Sequence, residues 1–173
     1  NSNDAKIGDV ILQPGSYDGG KDPDDHIATL NRFVPIKYKT ESSAPINYVD
    51  AAIAEGPFYN LDRQIYWIGN VKGVRDEVNI GEIVQKTGRT TNYTTGKVIS
   101  TNTTIEVSYG KFGNARFARQ IVTTKMSDGG DSGSLVCDTD GNAVGLLFAG
   151  SSKATIMNNI SQVVKHLKIR LHP

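Results

Sequence analysis

Cysteine is nearly absent: of 173 residues, Cys137 alone carries a thiol. A single cysteine excludes an intrachain disulfide and any zinc site built on thiolates. Its setting, Ser134-Leu135-Val136-Cys137, reads as a small buried core position. An excess of one charge is also lacking. The 19 basic and 18 acidic side chains leave a formal net charge of +1. That balance removes the electrostatic ground for a nucleic-acid or anionic-membrane partner. No apolar run approaches the roughly 20 residues of a membrane span. The opening Asn1-Ser2-Asn3-Asp4 lacks the basic-then-apolar layout of a signal peptide. Missing disulfides fit a bacterial or intracellular protein; localisation stays open, with a secreted or bacterial cell-associated protein preferred. Histidine is scarce too, at His26, His166 and His172.

What is present points to an all-β protein. Glycine is abundant, at 18 residues, and β-branched residues are plentiful. Short strands are expected at Lys6–Leu12, His26–Tyr38, Gln64–Ile68, Ile83–Gln85, Lys97–Ser100, Thr104–Tyr109, Ala115–Thr123, Ser134–Cys137 and Ala143–Phe148. Thr104–Tyr109 alternates at period two, the mark of a strand with one buried face. Asp138-Thr139-Asp140-Gly141-Asn142 reads as a hairpin loop, and Thr87-Gly88 as a breaker. Only the tail is helical: Ile160, Val163, Val164 and Leu167 recur at three- and four-residue steps behind a cap at Asn158 or Asn159. The acidic stretch Asp18–Asp25 holds four carboxylates and Lys21, but its spacing fits no calcium loop, so it reads as a solvated loop. Neither a metal nor a cofactor is expected. Asn-x-Ser/Thr triplets occur at Asn92, Asn102 and Asn159 and carry no weight without a known host.

The densest chemical signal is Ser127-Asp128-Gly129-Gly130-Asp131-Ser132-Gly133-Ser134, followed by Leu135-Val136. A serine hydroxyl needs a base to take its proton and fixed donors to meet the oxyanion. Glycines beside it let the backbone turn sharply and gather its N–H groups at one point. Gly130-Asp131-Ser132-Gly133-Ser134 resembles the Gly-Asp-Ser-Gly-Gly motif of chymotrypsin-like (trypsin-family) serine proteases of the bacterial type, with Ser134 departing at the fifth place. The resemblance implies Ser132 as nucleophile and an oxyanion hole from the N–H groups of Gly130 and Ser132. It gives Phe148, Ala149 and Gly150 the role of a strand that pairs with a polypeptide substrate. Asn47-Tyr48-Val49-Asp50-Ala51-Ala52-Ile53-Ala54 is similar to the segment holding the triad aspartate, which implies Asp50 as the carboxylate that orients a histidine. Lys86–Thr91 and Thr95–Val98 are similar to the opening hairpin of the second barrel. The implied fold is two Greek-key antiparallel β-barrels: an incomplete N-terminal one over 1–80, and a second over 81–173 with a short terminal helix.

The implied histidine has no convincing counterpart. In this family it precedes the aspartate within a small-residue motif. His166 and His172 follow Ser132, while His26 opens an apolar run behind the acidic loop. The chain is therefore expected to start just past the missing residue, as a fragment, a processed chain or a pseudoenzyme with little activity of its own. Missing strands would leave open sheet edges. The expected partners are then the chain's own N-terminal segment or a second copy of the chain. Around Lys125-Met126-Ser127 the floor of a specificity pocket is expected; it carries no acid to select Lys or Arg, and Lys125 offers itself to acidic side chains. A non-catalytic peptide-binding module is the competing reading.

Overall fold

The computed structural model describes residues 3–171; His172 lies outside them. Three strands form a first sheet in the order β1 (Val10–Leu12), β2 (His26–Phe33), β4 (Ala52–Glu55), all antiparallel. Ala28 and Leu30, two apart on β2, turn to its buried face. Both β1 and β4 are edges, with no further strand beside either among the described residues.

The second sheet closes on itself. Strands β8 (Ile83–Gly88), β9 (Asn92–Ser108), β10 (Asn114–Thr124), β13 (Ala154–Asn159), β12 (Asn142–Gly150) and β11 (Leu135–Asp138) pair in that order. Pairing of β11 with both β12 and β8 completes the barrel, and β12 outruns β11 so that its Phe148–Gly150 end stays open on one side. Val84, Val98, Ile121, Met126, Val136, Val144, Leu147 and Met157 fill its interior. Two short parallel additions join from outside: β3 (Ile46–Asn47) on β10 and β7 (Gly73–Val74) on β12. The remaining pair, β5 (Gln64–Ile65) and β6 (Gly69–Asn70), forms a small hairpin. Helix α1 (Ile160–Leu167) buries Ile160, Val163 and Leu167 against Val49, Ala51 and Ala143.

Several strand limits differ from expectation. Lys97–Ser100 and Thr104–Tyr109 fuse into the single strand β9, because Asn102 absorbs the bend at φ 54° and Arg119 opposite, at φ 63°, bulges to match. Thr87-Gly88 does not break β8, whose turn is Arg89-Thr90-Thr91 before Asn92 at φ 54°. Residues Gln64–Ile68 provide only a two-residue strand, and His26–Tyr38 ends at Phe33. Asn159, not Asn158, caps α1 by accepting from Ser161 N–H. Asn158 is instead fully buried in β13.

Candidate active site

Ser132 stands exposed in the loop between β10 and β11. Two backbone bonds fasten that loop to β12: Gly133 N–H donates to Leu147 O at 2.8 Å, and Leu147 N–H to Ser134 O at 3.0 Å. They bring the Ser132 hydroxyl 3.5 Å from Phe148 O. The turn depends on left-handed backbone at Gly130 (φ 102°) and Gly133 (φ 91°), which a side chain would strain. A Cβ on Gly130 would also collide with the Thr90 hydroxyl. Among the described residues, neither Gly130 N–H nor Ser132 N–H has a hydrogen-bond acceptor, whereas the N–H groups of Asp131, Gly133 and Ser134 all do. Two donors beside an exposed hydroxyl are thus left free.

Asp131 anchors the loop from beneath. Its side chain has no exposed surface and faces the equally buried Lys86 ammonium at 3.5 Å. It accepts from the N–H groups of Thr90 (2.8 Å), Thr91 (3.1 Å) and Asp128 (2.9 Å), and from the Thr91 hydroxyl at 2.7 Å. Burial pushes the carboxyl up, but the bonds from Asp128, Thr91 and Thr90 outweigh it and hold it down at about 2. Burial lowers the Lys86 ammonium, opposed by Asp131. Lys86 also donates to Asn92 O at 3.0 Å and to Thr91 Oγ1 at 2.5 Å. The sequence alone marks this segment as a hairpin and gives Lys86 no role. The available signal was a lysine two residues from Val84, on the inward face of β8.

A cavity of about 390 Å³ opens beside Ser132, lined by Ser127, Gly129, Leu147, Ala149 and Gly150 with Lys125 and Asp128 at hand. Of the expected floor, Lys125 and Ser127 line this cavity, whereas Met126 points into the barrel core at 4% exposure. Ser127 faces the cavity with its hydroxyl 2.6 Å from that of Thr155. Lys125 is no free cation, since Asp128 pairs with it at 2.7 Å. From Phe148 onward, β12 pairs with β13 on one edge only. The other edge, along Phe148–Gly150, has no strand beside it among the described residues.

Asp50 lies in the extended stretch between β3 and β4 rather than in a strand, half-buried between Val49 and Ala51. Its carboxylate accepts from the Tyr109 hydroxyl at 2.7 Å, and its N–H donates to Asn158 Oδ1 at 3.1 Å. Burial, then the neighbouring Asp50 charge, raises the Tyr109 phenol so that it stays a donor. Tilted ring pairs connect this corner to the serine: Tyr109 to Phe117 at 6.3 Å, and Phe117 to Phe148 at 5.0 Å. No histidine nitrogen lies within hydrogen-bond reach of Ser132 or Asp50 among the described residues. His26 faces Asp22 at 3.6 Å. His166 holds Gln162 O at 2.8 Å and rests against Tyr48.

No family profile and no curated protein matches this chain. Solved structures do. Thermobifida fusca Protease A superposes with a TM-score of 0.64 at 20% identity, over 84% of this chain and 74% of that one. A chymotrypsin of Cellulomonas bogoriensis gives 0.62 at 20% identity, over 95% and 88%. A Nocardiopsis protease gives 0.63 at 22% identity, over 84% and 74%. The fold is that of the bacterial chymotrypsin-like serine proteases. The all-β expectation with a short terminal helix holds within it. In this chymotrypsin-like frame the closed barrel carries Ser132, the free N–H pair and the open edge of β12. The three-stranded sheet carries none of them.

Proposed function

We propose that the chain provides the nucleophile half of a serine endopeptidase acting through an acyl-enzyme. The observation that carries this is the exposed Ser132 hydroxyl beside the unpartnered N–H groups of Gly130 and Ser132. An extended peptide adds to the open edge of Phe148–Gly150 and lays its side chain in the cavity by Ser127. Ser132 Oγ attacks the scissile carbonyl as a histidine takes its proton. The carbonyl oxygen becomes an oxyanion between the two N–H groups. On collapse the C–N bond breaks, the amine leaves with that proton, and water later hydrolyses the ester. Asp50 orients the histidine, with Tyr109 fixing one carboxylate oxygen. Since no described histidine reaches the serine, the base comes with further polypeptide seated on the edges of β1 and β4, either a histidine-bearing N-terminal segment or a second copy.

The lack of a base within reach of Ser132 favours one second reading, a peptide-binding module without turnover. Fluorophosphonate treatment of the purified protein, read by intact mass, separates the two. A label on Ser132, absent from Ser132→Ala, is expected when the histidine-bearing polypeptide is present. No label in that assembly, with peptide still bound, sinks the protease reading.

A further inference from the structure

Thr90 sits at the tip of the β8–β9 turn, outside the nucleophile loop, and yet grips it. Its hydroxyl donates to Gly129 O at 2.7 Å and accepts from Arg89 Nη1 at 3.1 Å. A guanidinium can only donate and a carbonyl can only accept. The hydroxyl proton therefore has one direction open to it, from Thr90 toward Gly129. Arg89 is held in turn by Asp18 of the first sheet's loop: Nε donates to Oδ2 at 2.9 Å and Nη2 to Oδ1. A polar relay thus runs from Asp18 through Arg89 and Thr90 to the peptide unit joining Gly129 to Gly130.

In a trans peptide the N–H opposes the C=O. Holding Gly129 O against Thr90 turns the Gly130 N–H away from Thr90, and there it has no acceptor. Both residues are glycine, and Gly130 at φ 102° has no side chain to resist rotation of this unit. Rotated over, the unit would present a carbonyl oxygen where the oxyanion has to form. Asp131 cannot prevent this alone, because its bonds reach Thr90, Thr91 and Asp128 but neither atom of the 129–130 peptide.

We infer that the Thr90 hydroxyl is the positioning group that sets the oxyanion donor, with Arg89 and Asp18 fixing its orientation from the first sheet. Its kinetic arm rests on the protease reading; its structural arm does not. The test compares Thr90→Val, which keeps the shape and loses the hydroxyl, with Thr90→Ser, which keeps the hydroxyl. Crystal structures of both should show the 129–130 peptide rotated or in mixed orientation in the valine variant and native in the serine variant. The rate of Ser132 phosphonylation should fall by about 10- to 100-fold in Thr90→Val, since losing an oxyanion donor outright costs on the order of 10²–10³ in rate. Thr90→Ser should restore it to within about threefold, and reversible peptide affinity should not change. A native peptide orientation in Thr90→Val overturns the inference. So does an unchanged phosphonylation rate. Absence of labelling in the unmodified protein assembled with its histidine-bearing polypeptide would count against the protease reading alone, and the crystal structures would still decide the role of Thr90.

Discussion

Lys86 is among the largest fully buried side chains of the described residues, and its ammonium shares the barrel interior with Asp131 directly below the serine turn. Removing one member of such a pair leaves an uncompensated charge, which costs on the order of 3–5 kcal/mol. Four hydrogen bonds still hold Asp131, so Lys86→Met should sit near the low end, about 3 kcal/mol by urea unfolding. A loss below about 1 kcal/mol would mean that the hydrogen bonds carry the turn unaided. Asp131 also sets an acid limit. Its carboxyl is harder to protonate folded than unfolded, so its contribution is complete above about pH 4 and is lost as the pH falls through about 2. An Asp131→Asn chain should lose that steep low-pH component. Ser132, Gly130 and Asp50 could be read in sequence as candidates, because a motif places backbone and side chain together. The parts played by Thr90, Lys86 and Tyr109 could not be. Each acts across 39 or more residues of separation, a distance over which local pattern is blind.

At the scale of elements, the strands with one apolar face were legible and the bent or very short ones were not. β10, β11 and β12 fall within a residue or two of expectation, since turn signals bound their apolar runs. β13 was hidden, because its Thr155 and Met157 alternate just ahead of a helical pattern that begins at Ile160. The junction is a single residue. Asn159 closes the strand, donates to Asp76 O at 2.7 Å and caps the helix through Ser161 N–H at 2.9 Å. Asn159→Ala should cost about 1 kcal/mol, a fall of roughly 2–4 °C in Tm for a chain of this size. Its side-chain nitrogen is already engaged, which argues against the Asn159 triplet as a glycan acceptor.

Across the whole molecule, the two sheets differ in completeness. The barrel has closed its hydrogen-bond ladder, whereas β1 and β4 end theirs in open edges, with Val10 on β1 44% exposed. Such edges recruit strands. The purified chain should accordingly run as a dimer or with a bound polypeptide in light scattering after gel filtration. A monodisperse monomer at low micromolar concentration, with nothing copurifying, would remove that expectation and the base-supplying partner together. On the proposed protease reading, the labour of catalysis is divided along a physical seam. Everything that would cradle a tetrahedral carbon belongs to the closed barrel, and what would move the proton does not. A reversible transition-state mimic could therefore occupy this cleft whether or not a substrate is ever turned over, so occupancy and catalysis are separate quantities for this molecule and each has to be measured on its own.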